Sequence, residues 1–378
     1  MEKGVAQKSR YHHVEEMPEH FKEMFILQGY RNPNSTFREC MLSMCHPTNE
    51  TMNFWTHILP AIYFIWSTFV IFRDNLDLTH DAFALPFFVY SLSTCLYPAA
   101  SALAHVLNTM SPHARHICFF VDYAALSFYS LGSAVAYKAY SFPLSQENAP
   151  FRKLYVPFAS LIAVISMSMC CATRFMPSGI LKKVFRMLTM AVPYMFVIIP
   201  IVQRYYLGNA EDLSGGMYLH LRQFLFALLS AFLYLSHIPE RLSPGCFDIL
   251  FHSHQIFHVT SILGTSDQMA AFFLDLQERR HLLARPGHDG LMPSHRSTIG
   301  LMTLVGTVNI LQLMMFSSQL YRILPQHSQT TAAEKHSNLE TSDQVINGRC
   351  TKGNSGISDV THRVTYRGGK VASQAGNN

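Results

Sequence analysis

Charge is what this chain has least of. Only 14% of its 378 residues are Asp, Glu, Lys or Arg, against the ~25% usual in a soluble domain, and 49% are apolar. That imbalance excludes an ordinary water-soluble fold. The net charge of +5 is spread out, with no basic stripe and no nucleic-acid-binding motif, which excludes a nucleic-acid partner. Eight cysteines occur without a Cys-x-x-Cys pair. Cys170 and Cys171, adjacent in an apolar run, read as reduced, buried side chains. The first 50 residues are polar, so no cleavable signal peptide is expected. No internal repeat is visible, which argues against an inverted-repeat transporter. Asp-Arg-Tyr is missing after the third apolar segment and Asn-Pro-x-x-Tyr from the seventh, which argues against a conventional heptahelical receptor.

Long apolar segments, by contrast, are abundant. A helix needs ~20 mostly apolar residues to cross a bilayer, and eight segments qualify: about 54–73, 82–106, 116–137, 154–173, 187–206, 217–237, 252–275 and 298–317. The expected fold is all-α, a polytopic helical bundle in the lipid bilayer. Residues 1–53 form an N-terminal segment, 54–320 the transmembrane domain, and 321–378 a polar tail expected to be disordered. Pro193 and Pro200 are expected to kink the fifth span. Arg222, near the start of the sixth, is close enough to an end to snorkel. Phe21, Met24, Phe25 and Leu27 suggest a short amphipathic helix over Pro18 to Tyr30, lying on the membrane surface or packed against the bundle. Lys and Arg within ~15–20 residues of the spans balance across the membrane, so charge leaves the orientation open. The sequons Asn34-Ser-Thr36 and Asn49-Glu-Thr51 serve only if the N-terminus faces the lumen.

Five polar residues stand out within these spans. Ser101 and His105 lie at the end of the second, Asp122 near the start of the third, and His254 and His258 at the start of the seventh. Ser-x3-His and His-x3-His each put both side chains on one helix face. The intervening loops are even-numbered, so all five fall at one depth in one leaflet. Ionisable groups there are costly and need a partner or a task. Three neutral imidazoles from His105, His254 and His258 are the donors of an open zinc site. Asp122 is placed to orient a water or move its proton, and Ser101 to support His105. His57, His237 and His252 compete as ligands on the sequence alone.

At these residues the chain resembles the progestin and adiponectin receptor family. The likeness rests on Asn49-Glu-Thr-Met-Asn-Phe-Trp-Thr-His57, Ser101-x3-His105, Asp122, His237-Ile-Pro-Glu-Arg-Leu-Ser-Pro-Gly-Cys-Phe-Asp248 and His252-Ser-His-Gln-Ile-Phe-His258, in family order from about residue 28 to 320. The eighth span and Pro-Glu-Arg in loop six resemble the membrane progestin receptor branch, of gamma-like type. The resemblance implies a seven-span core plus that extra span, and an intramembrane zinc on the three histidines with Asp122 on its water. It also implies a plasma-membrane protein with a cytosolic N-terminus, which would leave both sequons unused. Progesterone-like steroids would be the ligands, with rapid signalling through inhibitory G proteins. Gln223, Tyr194 and Asn309 are candidate polar anchors for a steroid. The alternative is a zinc-dependent lipid amide hydrolase, since the wider superfamily resembles alkaline ceramidases; the ligand is then a sphingolipid. A purely structural zinc is a third reading. One departure is Phe251, which replaces the glycine common before His-Ser-His-Gln.

Overall fold

The computed structural model describes residues 11–324, apart from 79, 147, 178, 209–214 and 284–292. The described residues up to Leu324 form one compact unit; the tail expected to be disordered lies, from 325 onward, outside the described residues. Those residues are helical, with one isolated bridge between His12 and Tyr30. In chain order the helices are α1 (Phe37–Ser43), α2 (Thr51–Asp74), α3 (Leu85–Leu107), α4 (Pro112–Tyr140), α5 (Pro150–Thr173), α6 (Ile180–Val197), α7 (Ile199–Leu207), α8 (Gly216–Ser236), α9 (Ser253–Leu283) and α10 (Leu301–Ile323).

Helix starts follow local chemistry. Thr36 and Glu39 form a reciprocal capping box at α1. The Ser111 hydroxyl accepts from Ala114 N at 3.0 Å and Pro112 opens α4. α9 is capped from a distance: Glu240, buried in loop six, accepts from Ser253 N at 2.6 Å and from the Ser253 hydroxyl.

Seven helical stretches among the described residues are long and apolar enough to cross a membrane, α6 and α7 counting as one and α10 included. The protein is thus a multi-pass membrane protein. α9 matches the remaining expected span, but it is the polar helix of the bundle. It buries Gln255, His258, Thr260, Thr265, Asp267, Gln268 and Asp275, packing chiefly on α8 and α2. Of the two prolines expected to kink the fifth span, Pro193 lies within the continuous α6 and Pro200 sits at the break between α6 and α7. Pro200 has no N–H to give, Ile201 N turns back to Ile198 O at 3.0 Å, and the freed Val197 carbonyl accepts from Tyr155 Oη at 2.6 Å. Arg222 does not snorkel alone; it holds Asp267 of α9 through two bonds of 2.6 and 2.5 Å. Close approach of α3 and α4 depends on Gly132, where a Cβ would lie 2.4 Å from Ser93 Oγ.

The expected helix over Pro18 to Tyr30 is not formed. Val14–Glu16 and Glu19–Phe21 are single 3-10 turns, and Phe25 and Gly29 adopt left-handed backbone, which no right-handed helix accommodates. Met17, Phe21, Ile26 and Tyr30 instead bury against one another, in a segment tied to the bundle.

Candidate metal centre

The C-terminal end of α3 and the N-terminal end of α9 bring His105, His254 and His258 together. One ring nitrogen from each lies within 4.8 Å of the others, and Nε2 of His254 is 3.3 Å from Nε2 of His105. Ligands at ~2.0–2.1 Å around a tetrahedral zinc are separated by about 3.3 Å, the spacing His105 and His254 already have, so the three rings could hold a metal ion.

The outer nitrogens explain why the inner ones converge. His105 Nδ1 meets Glu50 Oε2 at 2.7 Å, and His258 Nδ1 meets Thr56 Oγ1 at 3.1 Å. Each bond fixes a ring and leaves its Nε2 for the centre. Glu50 also accepts from Asn53 Nδ2 at 2.8 Å and Asn108 Nδ2 at 2.7 Å. Burial works against its charge, but His105, Arg31 and Asn53 outweigh burial and hold its carboxyl well below the usual carboxylate range. Sequence reasoning missed Glu50, Asn108 and Thr56 as supports. The available signal was an acidic residue at the mouth of the first span, six residues before Thr56.

Two of the rival histidines have their nitrogens engaged elsewhere. His252 Nε2 lies 3.1 Å from Asn49 O. His237 sits between Lys183 and Glu240. His57 stacks on His258 with centroids 3.6 Å apart, and neither of its buried ring nitrogens has a partner among the described residues.

A cavity of about 450 Å³ opens from the histidines between α3, α4, α5, α6, α8 and α9. Asp122 and Ser101 both line it. Asp122 makes no hydrogen bond to the described residues, and its charged neighbours are His105 and Arg186. Ser101 does not reach His105 Nδ1, which Glu50 already occupies. Of the three expected polar anchors, Tyr194 lines the cavity with its buried hydroxyl unpartnered. Gln223 also lines it, but its amide is engaged by Tyr137 Oη at 2.5 Å. Asn309 does not line it; it faces Ala124 O and Ser127 Oγ, both at 3.4 Å, and ties α10 to α4.

Comparison with known proteins gives this geometry a family. Residues 45–269 match the family described as Haemolysin-III related. The chain belongs to that family. Within it, the chain is 40% identical over 314 residues to membrane progestin receptor gamma of Homo sapiens, covering 82% of this chain and 94% of that protein. It is 42% identical over 280 residues to membrane progestin receptor delta of Mus musculus, covering 72% and 80%. To membrane progestin receptor alpha-B of Danio rerio it is 32% identical over 276 residues, covering 71% and 77%. The stretch matched to the Haemolysin-III-related family contains the three histidines, Asp122, Ser101 and Glu50, and leaves out α10 and everything before Cys45. Phe251 can now be placed: its φ is 65°, a conformation that glycine adopts freely and phenylalanine resists. The ring is exposed and the backbone N–H donates to Gln255 Oε1 at 2.6 Å. The departure therefore leaves the histidines of the following helix in place.

Proposed function

We propose that this protein is a membrane receptor for progesterone-like steroids, with the ligand seated in the cavity beside a zinc ion held by His105, His254 and His258. The observation that carries the reading is the cavity itself. Its volume is in the range of small-molecule sites, and the surface of its walls is mostly apolar, with polar side chains set among it. The relatives' names speak of progestin, which supplies the ligand class. The same reading sets the protein in the plasma membrane with a cytosolic N-terminus and an inhibitory G protein as effector. In purified protein, labelled progesterone should bind saturably, and Ala227→Trp, which fills the cavity from α8, should abolish binding while zinc content is unchanged. Undiminished binding in that variant rejects the pocket.

A specific observation favours a second reading, a lipid amide hydrolase. Asp122 lines the cavity beside His105 without a hydrogen-bond partner among the described residues, which leaves its carboxylate available to a molecule in the cavity. Zinc, when bound, supplies Lewis acidity to a substrate carbonyl. Asp122 would take the proton of a water attacking the amide carbon and return it to the nitrogen as the C–N bond breaks, releasing a fatty acid and an amine. The apolar walls would hold the acyl chains. Zinc content and ceramide hydrolysis, measured on one detergent-purified sample beside Asp122→Asn, separate the readings. The hydrolase reading expects stoichiometric zinc in both proteins and turnover lost in the variant. Zinc without turnover in either leaves the receptor reading with a structural metal. If zinc survives the double change His254→Ala and His258→Ala, the ligand assignment is wrong.

A further inference from the structure

We infer that Arg31 is a positioning residue of the metal centre: acting through Asn108 and Glu50 from an N-terminal strap, it holds the His105 imidazole with Nε2 turned toward His254 and His258. This rests on the reading that the three histidines hold zinc.

Arg31 lies before residues 45–269, the stretch matched to the Haemolysin-III-related family, and is 6% exposed. Its Nη1 donates to Val106 O at 2.7 Å and Ser43 Oγ at 2.9 Å. Its Nη2 donates to His105 O and to Asn108 Oδ1, both at 2.7 Å. The guanidinium thus takes carbonyls left open at the C-terminus of α3, the favourable end for a cation. The bond to Asn108 matters most. An amide presents one acceptor and one donor group; fixing Oδ1 on Arg31 turns Nδ2 toward Glu50 Oε1, 2.7 Å away. The other carboxylate oxygen then meets His105 Nδ1. Arg31 therefore sets the amide, the amide sets the carboxylate, and the carboxylate sets the ring. Arg31 also balances the buried Glu50 charge, which would otherwise be left exposed to a low-dielectric surround.

The arginine is delivered by a strap. Gln28 N donates to Asp248 Oδ2 in loop six at 2.9 Å, Asn49 N donates to Gly29 O at 3.1 Å, and Glu23 pairs with Arg115 of α4. Residues 23–31 thereby bind three elements around the histidines: the start of α2, the start of α4 and the loop that feeds α9.

The test is zinc release into excess chelator from the full chain in detergent, with zinc stoichiometry and the melting temperature of the zinc-free protein measured alongside. Arg31→Ala should release zinc 10- to 100-fold faster than the parent. Arg31→Lys should not restore the slow rate, because one ammonium cannot serve Asn108 and the carbonyls as a fork does. Should Arg31→Ala fail to fold, Asn108→Leu keeps the arginine's carbonyl bonds, breaks the link to Glu50, and should show the same acceleration. A release rate unchanged in the folded variant, whatever happens to the zinc-free melting temperature, overturns the inference. A parent protein that carries no zinc overturns the metal reading instead.

Discussion

Two buried polar centres occupy the two ends of α9, and they are built on opposite principles. At its start, His105, His254 and His258 turn nitrogens toward one another with no acidic group between them. Roughly 25 Å further along the helix, Asp275 accepts from Arg204 Nη1 at 2.7 Å, from His220 Nε2 at 2.9 Å and from the Ser141 hydroxyl at 3.2 Å. That second centre joins α7, α8, α9 and the end of α4, and its charges are fully buried. One centre pairs opposite charges, and the other gathers three like donors that could hold a metal ion. A polar cluster in a membrane bundle is therefore informative by what it leaves unmatched, not by how polar it is.

The largest effect is expected where the charge-paired centre is broken. Asp275→Asn removes the buried carboxylate charge that meets Arg204, His220 and Ser141, and breaking a buried ion pair is strongly destabilising. Thermal unfolding in detergent should show a large drop in melting temperature at unchanged zinc stoichiometry in whatever protein remains folded. A small drop would mean that the centre is not the structural tie described.

The histidine centre should respond the other way. His57 stacks on His258 with two buried nitrogens lacking partners among the described residues, and each such group costs on the order of 1–3 kcal/mol. His57→Phe keeps the stacking surface and removes the orphaned atoms. Its melting temperature should rise by a few degrees while progesterone affinity falls several-fold and zinc stays stoichiometric. A destabilised variant would place His57 among ordinary packing residues.

The smallest effect belongs to neither centre. Phe251→Gly removes left-handed strain but adds freedom to the unfolded chain, so the net gain should be under about 1 kcal/mol in thermal unfolding, with zinc unchanged. A loss of zinc would give the exposed ring a part in shaping the site that its position does not suggest.

Why part of this was legible in the sequence follows from distance along the chain. The spans declare themselves because a bilayer demands runs of apolar residues. His254 and His258 declare themselves by helical spacing, and His105 by sharing their leaflet. Glu50, Asn108 and Arg31 do not, because the bonds that join them cross 55 to 77 residues and no local period reports such a link. The strap was misread for a different reason. Phe21, Met24, Phe25 and Leu27 suit one helical face, but Phe25 and Gly29 take left-handed backbone, and Tyr30 folds its hydroxyl back to Ile26 O at 3.0 Å. α9 illustrates the reverse case: its polarity weakens the membrane signal because its partners are other helices.

The strap also carries a consequence for time. Residues 23–31 leave the ribosome before any span, yet Gln28 must wait 220 residues for Asp248, and His105 must wait 149 for His254. A segment made before these spans is thus fastened late, and its bond to Asp248 can close only once loop six has been made. Its closure therefore marks a chain threaded at least as far as the loop that feeds α9.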